Sequence, residues 1–156
     1  MTAAKDRVRL WLRLLKVVRG IENDLREKLR RDHNTTLPRF DVMSALSRHP
    51  DGLKMSQLSG VLRVSNGNVT GIADRLSDEG LVERVAVPGD RRAIVLRLTE
   101  AGRVEFEGQA KAHENWINDI LSGVSPEEAR FMAERLQEYA AAGDAQPATT
   151  KEDAHA

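Results

Sequence analysis

Apolar residues recur every three or four positions along most of this chain, as in amphipathic helices that bury one face. Between residues 81 and 98 the pattern changes to a rough alternation rich in β-branched residues. This alternation predicts two strands, 81–87 and 93–98, around a turn at 88–92. The predicted fold class is therefore mostly α with a small β-hairpin after the fourth helix. Predicted helices cover residues 6–31, 38 to the turn at 49–52, 55–62, 65–80, 99–123 and 126 onward.

The segment of residues 65–80, SNGNVTGIADRLSDEG, is the centre of this pattern. Ser65 is a good N-cap because its hydroxyl can accept from the first unpaired backbone amides, and Gly80 can adopt the left-handed conformation that ends a helix. One face of the helix is left for solvent or a partner. The other is apolar and is predicted to pack on a core through Val69, Ile72, Ala73 and Leu76.

The uncovered face of this helix is short and polar, and better helix formers would suit it if stability were the only requirement. Its polar residues are Ser65, Asn66, Asn68 and Thr70. In a DNA major groove, asparagine can bond adenine bidentately and hydroxyl groups can meet several base edges. We therefore predict that these side chains read bases, with Arg75 nearer a phosphate or paired with Asp78 or Glu79. An exposed polar helix start without any partner explains the same segment.

A short helix and a tight turn precede this segment, and the predicted hairpin follows it directly. Helix 55–62, turn 63–65 and helix 65–80 have the spacing of a helix-turn-helix motif. The hairpin carries two neighbouring arginines, Arg91 and Arg92, at its tip. We therefore predict a winged helix in which Arg92, with Arg91 as second candidate, enters the minor groove of double-stranded DNA.

Residues 74–102, DRLSDEGLVERVAVPGDRRAIVLRLTEAG, resemble the winged helix of the MarR family of transcriptional regulators. The helix, the glycine stop, the strand, the Asp-x-Arg wing tip and the Leu-Thr-x-x-Gly start of the next helix come in the order that this family has. The resemblance implies that Asp90 braces the guanidinium of Arg92 by a charge-assisted bond. It also implies a homodimer that is intertwined through its first helix and last two helices and reads a palindromic operator.

The resemblance and the pattern of apolar residues together predict that the chain divides into three parts. Residues 1–37 and 99–142 are predicted to form a helical dimerisation region, and residues 38–98 a winged helix-turn-helix region that binds DNA. Residues 143–156 combine Ala, Thr, Pro and charge without an apolar stripe. Such a segment cannot bury enough apolar surface to offset its ordering, so it is predicted to be a disordered tail.

The first helix has a wider apolar face than one core contact uses. The surplus predicts a second copy of the chain as partner, and a wide core face inside a monomer is the alternative. One stripe consists of Val8, Trp11, Leu15, Val18, Leu25 and Leu29. The residues that widen it are Leu10, Leu14, Val17 and Ile21.

A narrower resemblance rests on residues 37–41, the SNGNVTG run and residues 113–116, which are similar to regulators that sense hydroxycinnamoyl-CoA thioesters. It implies a repressor that an aromatic acyl-CoA releases from its operator, with a free phenolic acid as the alternative effector. The same residues have a simpler explanation. The aromatic rings could be ordinary core residues, and the cations could lie on solvated helix faces or contact DNA phosphates. The implied ring-binding residues are Trp11, Phe40, His113 and Trp116. The implied cations for the CoA phosphates are Arg7, Arg9, Arg13, Lys16 and Arg39.

Composition and charge fit this interpretation. The chain has 156 residues, 40% of them apolar, which suffices for one domain with a core. The formal net charge is zero, but it is +5 over residues 1–37, +2 over 38–103 and −7 over 104–156. The basic part therefore includes the predicted DNA-binding region, as phosphate contact requires, although ordinary solvated helices would give the same distribution.

Other classes of function have weaker signals. The chain has no cysteine, which excludes a thiol switch and a Cys-ligated zinc site. It shows no signal peptide or membrane-spanning run, so we expect a cytoplasmic protein without a membrane partner. It also lacks a nucleophile elbow, a phosphate-binding loop and a Rossmann glycine pattern, so we expect no enzyme and no cofactor. His113 with Glu114, or His33 with Asp32, leaves a metal-responsive protein as an alternative, and a winged helix that binds only protein is another.

Overall fold

The computed structural model describes residues 2–62 and 66–144. The fold class predicted from the sequence pattern, mostly α with an antiparallel hairpin, is confirmed. The chain divides into two compact units after Ile117. Its elements in chain order are α1 (Ala3–His33), α2 (Leu37–Ser47), α3 (Met55–Leu62), α4 (Asn66–Asp78), β1 (Val82–Val87), β2 (Asp90–Leu98), α5 (Glu100–Ile120) and α6 (Pro126–Asp144).

The main core lies between α2, α3, α4 and the hairpin, and each of these elements buries apolar side chains in it. The apolar face predicted for α4 is confirmed, because three of its side chains are completely buried and a fourth, Ile72, packs against the same cluster. This burial holds α4 by one face and leaves the opposite face uncovered. The buried members are Val42, Met43, Ala45, Leu46, Leu53, Leu58, Val69, Ala73, Leu76, Val82, Leu96 and Leu98.

The hairpin pairs β1 with β2 in antiparallel register, from Val82 opposite Leu98 at its base to Val87 opposite Asp90 at its tip. The register shifts at a bulge just before Val87, and Gly89 has a φ of +87°, which suits the third position of a type II turn after proline. The second strand therefore begins at Asp90 rather than at the predicted position 93. The predicted five-residue turn is too long, because the two-residue turn already brings Asp90 opposite Val87. The next pair is Ala86 with Ile94, so residues 91–93 of β2 lie in the register shift without a partner on β1. Both tip arginines consequently lie in strand backbone.

A short bridge attaches the segment before α3 to the hairpin. Leu53 pairs with Leu96, with backbone N–H···O distances of 2.9 and 2.8 Å. Gly52 precedes the bridge with a φ of +93°, and a Cβ there would lie 2.7 Å from the Leu96 carbonyl oxygen. The turn predicted at 49–52 is confirmed by the bond from the Gly52 amide to the His49 carbonyl, 2.8 Å. Glycine is thus required at this position for the start of α3 to approach the hairpin.

The end of α4 and the start of α5 are locked together by four residues, which we call the α4–α5 joint. Gly80 ends α4 with a φ of +75°, as predicted. The Thr99 hydroxyl donates to the Gly80 carbonyl at 2.6 Å and accepts from the Gly102 amide at 3.0 Å, which confirms Thr99 as the cap of α5. The Thr99 amide donates to the Leu81 carbonyl at 3.1 Å. A Cβ on Gly102 would come within 1.9 Å of that same carbonyl oxygen, so the two segments touch through backbone.

Helix α1 departs from the prediction in what it buries. It ends at His33, followed by Asn34 in the left-handed conformation. Only Leu25 and Leu29, near its C-terminal end, are buried, and they pack with Leu37. The predicted core stripe is therefore wrong for its N-terminal part, because the first half of α1 is uncovered. The exposed apolar residues there are Val8, Leu10, Trp11, Leu12, Val17 and Val18.

Helix α6 begins with the predicted capping box. The Ser125 amide donates to Glu128 Oε2 at 2.9 Å, and the Glu128 amide donates to Ser125 Oγ at 3.2 Å. The helix buries none of its residues, and it continues to Asp144, two positions into the predicted tail. The rest of that tail, residues 145–156, lies outside the described residues. The exposed apolar side chains of α6 are Phe131, Met132, Leu136 and Tyr139.

Within the described ranges, no helix combines the length and the apolar character that crossing a membrane would need.

Candidate functional site

The uncovered face of α4 presents the polar residues that the sequence singled out. Val69 is completely buried, while its neighbours Asn68 and Thr70 are exposed. Two of the four predicted base-reading side chains, Asn68 and Thr70, thus lie on the solvent-exposed face of α4, and the opposite face of the helix packs on the core. Ser65 lies outside the described residues, and Asn66 is described only as the first residue of the helix backbone.

Glu79 pairs with a different arginine from the one predicted. Arg39 Nη1 donates to Glu79 Oε1 at 3.1 Å, and Arg39 Nη2 bonds the second carboxylate oxygen. This bidentate bond holds the pKa of Glu79 below its ordinary value. The ion pair of Glu79 is thus with Arg39, and Arg75, which was predicted to meet a phosphate or to pair with Asp78 or Glu79, lowers the pKa of Glu79 only through its charge. Arg39 was predicted to contact CoA phosphates, and it instead ties the start of α2 to the end of α4.

Arg75 lies beside the exposed face of α4, in a cleft of about 270 Å³ between α2 and α4. The cleft runs from Asn68 at the polar face to Arg39. Its remaining lining residues are Thr36, Gly71 and Ile72. Arg75 and Asn68 therefore face the same open space.

The tip of the hairpin exposes Asp90, Arg91 and Arg92. Asp90 Oδ1 accepts from the backbone amide of Arg92 at 3.0 Å. The predicted brace between Asp90 and the guanidinium of Arg92 is therefore wrong: an aspartate two residues ahead reaches a backbone N–H more readily than the end of a long side chain. The carboxylate fixes the turn, and both guanidinium groups extend into solvent.

Ion pairs hold the hairpin in place beside α4. Arg84 on β1 bonds Asp74 on α4 through a guanidinium–carboxylate contact. Across the hairpin, Arg97 Nε donates to Glu83 Oε1 at 2.6 Å. With the contacts of the α4–α5 joint, these bonds set the position of the basic tip relative to the polar face of α4.

A second candidate site is an aromatic cluster where α1, α2 and α5 meet. The His113 ring stacks on Phe40 with centroids 4.8 Å apart, and Phe106 lies 5.5 Å from the same Phe40 ring. His33 meets Trp116 edge to face at 5.9 Å. The structure thus brings Phe40, His113 and Trp116 together as predicted.

Trp11 is not part of this aromatic cluster. Its side chain is 58% exposed, because the first half of α1 is uncovered. The apolar slot that was predicted to include Trp11 is therefore not formed within one subunit.

Two features of the aromatic cluster bear on its chemistry. Burial lowers the pKa of His113, so its imidazole is neutral near pH 7 and can both donate and accept a hydrogen bond. Gln109 is 2% exposed and donates to Glu105 Oε1 at 3.3 Å, while its own Oε1 has no hydrogen-bond partner. Gln109 was not among the predicted site residues, although its spacing from Phe106 and His113 places it on the same face of α5.

The remaining predicted cations lie along the first turns of α1. Arg7, Arg9, Arg13 and Lys16 are all exposed, and Arg9 Nη1 bonds Asp6 at 3.2 Å. They form no single cluster with Arg39, which is engaged at the end of α4.

The residue pairs considered for a metal have other partners. Asp32 bonds Arg31 at 2.7 Å, and Glu114 lies 3.8 Å from Lys111. Across residues 2–62 and 66–144, no group of three or more histidine and carboxylate side chains is arranged to hold a metal ion.

Comparisons with known proteins agree with this geometry. A sequence model of the MarR family matches residues 33–93. YfiV, an uncharacterized HTH-type transcriptional regulator of Bacillus subtilis, is 30% identical over 128 residues, which are 81% of this chain and 78% of that protein. The crystal structure of a MarR family transcriptional regulator from Silicibacter pomeroyi has 31% identity and a TM-score of 0.75, covering 91% of this chain and 98% of that chain.

A further solved structure shares the fold at lower identity. Sco3205, a MarR family transcriptional regulator from Streptomyces coelicolor crystallised in complex with DNA, has a TM-score of 0.77 and 20% identity. The alignment covers 97% of this chain and 94% of that chain.

Proposed function

This chain belongs to the MarR family of transcriptional regulators, and from that premise we propose that it is a repressor that an aromatic effector releases from a pseudo-palindromic operator. The observation that carries the proposal is the pairing of two surfaces. The exposed polar face of α4 lies beside a hairpin whose tip presents Arg91 and Arg92. The DNA complex of Sco3205 supports this use of the fold.

The proposal places α4 in the major groove. This groove is about 12 Å wide and admits a helix whose outward side chains then meet base edges. Asn68 and Thr70 are exposed on the outer face of α4, and Ser65 and Asn66 precede them in the sequence. Arg75 lies further along the helix, in the cleft shared with Asn68, where it faces a phosphate in the proposed complex.

The hairpin is the wing of this winged helix, and its tip enters the adjacent minor groove. Arg92 is the main candidate and Arg91 the second, because arginine is favoured by the negative potential of a narrow minor groove. Asp90 contributes by fixing the tip through the Arg92 amide rather than by neutralising either guanidinium.

A homodimer completes the proposed DNA-binding form. The exposed apolar residues of α1 and α6 need a cover, and a second copy of the chain supplies the same faces in return. Two α4 helices related by a two-fold axis would read half-sites about 34–36 Å apart, which is one turn of DNA.

The proposed effector is an aromatic acyl-CoA of the hydroxycinnamoyl type. The aromatic cluster supports the ring-binding part, because neutral His113 stacked on Phe40 offers a ring face and a hydrogen bond to a phenol or carbonyl. Trp116 lies at the same cluster. The exposed cations of α1 are the candidates for the CoA phosphates, whereas Arg39 is already paired with Glu79. A free phenolic acid would need only the aromatic cluster.

The first test is sequence-specific binding, measured by fluorescence anisotropy on duplexes from the promoter beside the chain's own gene. The change is Asn68→Ala, and the matched control is Asn118→Ala, since Asn118 is also exposed but lies on α5. Loss of one bidentate base contact should remove about 1–3 kcal/mol of discrimination at one position per half-site. A uniform loss of affinity for all sequences would instead make Asn68 a backbone contact, and an absence of specific binding by the wild type would refute the proposed function.

The second test titrates the operator complex with a hydroxycinnamoyl-CoA and with the corresponding free acid. A ligand releases DNA only when it binds the non-DNA-binding conformation more tightly, so the measured quantity is the shift in operator Kd. We expect the thioester to act at much lower concentration than the acid. Equal potency would remove the CoA group from the proposal and leave a phenolic acid sensor.

A further inference from the structure

An open cleft lies between the start of α3 and the wing. It is separate from the exposed polar face of α4, and it extends beyond the wing tip. We call it the wing cleft, and its volume is about 410 Å³. Lys54 and Ser56 border it on the α3 side, and Arg92 and Ile94 border it on β2. Its other lining residues are Met55, Asp90 and Ala93.

Backbone contacts fix the two walls of the wing cleft. The bridge between Leu53 and Leu96 joins them at the bottom, and Gly52 allows the close approach. The amide of Lys54 donates to Gln57 Oε1 at 2.9 Å, which holds the residue at the start of α3. The wing cleft is therefore a feature of the fold and not an accident of side-chain placement.

The charges in the wing cleft favour an anion. In the part of the chain that the structure describes, neither Lys54 nor Arg92 forms an ion pair with a carboxylate. Asp90 also borders the cleft, but its Oδ1 already accepts from the Arg92 amide. The Ser56 hydroxyl adds a donor at the same opening. Two cations without carboxylate partners, together with a hydroxyl, suit a phosphate diester.

Ile94 adds an apolar surface to these cations. It is 52% exposed although it lies in β2, and it lines the wing cleft together with Arg92 and Lys54. An exposed branched side chain next to two cations suits the apolar edge of a deoxyribose better than it suits water.

The course of DNA past the protein brings these features together, and this step rests on the proposed function. With α4 in the major groove and the wing tip in the adjacent minor groove, the sugar-phosphate strand that separates the two grooves must pass along the protein surface between these two contacts. We propose that the wing cleft receives this sugar-phosphate strand, with Lys54 on one phosphate and Ile94 against the sugar, while Arg92 adds positive charge at the cleft as its side chain continues toward the minor groove. Lys54 is then a sequence-independent contact that sets the register of α4 on DNA.

The test variant is Lys54→Gln, with Lys111→Gln as the matched control, because Lys111 is an exposed lysine on α5. Loss of one phosphate contact should make the slope of log K against log salt shallower by about 0.9. It should also weaken binding to operator and to unrelated duplex DNA by the same factor, while the control changes neither. Lys54→Gln with a wild-type salt slope would overturn the inference, even if affinity fell.

A second measurement locates the phosphate. Single phosphates of the operator are replaced in turn by neutral methylphosphonate, and the Kd of wild type and of Lys54→Gln is measured on each duplex. At one position per half-site, the wild type should lose affinity and the variant should lose almost none. Additive losses at every position would exclude a direct contact of Lys54. If the wild type bound no operator at all, the proposed function would fail before this question arose.

Discussion

The winged-helix region and the two outer helices, α1 and α6, obey the same sequence rule and yet differ in what they bury. Residues 37–98 contain almost all of the buried apolar side chains, with Leu46, Leu58 and Leu76 at most 1% exposed. Helix α6 buries no residue, and α1 buries only Leu25 and Leu29. Helical periodicity therefore identifies the face that needs cover, but it does not say whether the cover comes from the same chain.

The two regions therefore differ in whether they need a second chain to bury their apolar side chains. The winged-helix region has its own core and needs no second chain to shape its reading surface. The outer helices have apolar faces that a single subunit leaves in water. Stability of the outer helices should therefore depend on protein concentration, and stability of the winged-helix region should not.

The largest effect is expected from charging the uncovered face of α1. The double variant Leu10→Glu and Val17→Glu should be monomeric, because burying two unpaired carboxylates in an apolar interface costs several kcal/mol. Operator affinity should fall by roughly two orders of magnitude or more, since only a dimer engages both half-sites at once. Sedimentation velocity and anisotropy measure the two outcomes. A wild-type protein that sediments as a monomer at micromolar concentration would contradict the contrast itself.

A core truncation should come next. Leu76→Ala removes a completely buried side chain and should lower the free energy of unfolding by about 2–5 kcal/mol in urea denaturation. This loss should be the same at low and high protein concentration. The matched variant Leu136→Ala, on the exposed face of α6, should shift the transition only at concentrations where the dimer forms. A concentration-independent loss for Leu136→Ala would place α6 in the core of the monomer.

The α4–α5 joint offers a smaller test, where the winged-helix region meets α5. Gly102→Ala forces a methyl group against the Leu81 carbonyl and should destabilise the protein by about 1–3 kcal/mol through backbone shifts. Gly108→Ala is the control in the same helix, where no atom lies within 4 Å of the added carbon, and it should be neutral or stabilising by up to about 1 kcal/mol. Equal unfolding midpoints for the two variants would show that the joint accommodates the methyl group without loss of stability.

The smallest expected effect is on pH dependence. Because burial lowers the pKa of His113, the unfolded chain binds the proton more readily than the folded chain does. The free energy of unfolding should therefore fall as pH drops below the ordinary histidine value of 6.5. Urea denaturation of the wild type and of His113→Gln at pH 7.5, 6.5 and 5.5 measures the difference. A variant with the same pH slope as the wild type would remove His113 as its source.

Local signals made much of this fold predictable from the sequence. The glycine that ends α4, the cap at Thr99 and the capping box at Ser125 each depend on a few neighbouring residues. The buried face of α4 followed from spacing alone. These features need no knowledge of which segments meet in space.

The predictions that were wrong concern contacts between residues far apart in sequence, or side-chain packing that residue spacing does not determine. Arg39 and Glu79 pair across 40 positions, and no local pattern identifies which arginine reaches that carboxylate. Gln109 looks like a surface residue because glutamine usually is one, and only packing buries it. Of the predicted ring-binding residues, Phe40, His113 and Trp116 lie together in the aromatic cluster, while Trp11 lies on the uncovered half of α1.

A chimera that exchanges the winged-helix region between two relatives must preserve the hydrogen bonds of Thr99. A chimera cut at the end of β2, where the hairpin stops at Leu98, would separate Thr99 from the Gly80 carbonyl that it contacts. It would also set a foreign side chain against Leu81 if the grafted α5 lacked glycine at position 102. The transferable module therefore extends past the hairpin through the first turn of α5, and a graft that keeps residues 80 to 102 from one parent should retain the angle at which that parent holds its reading helix.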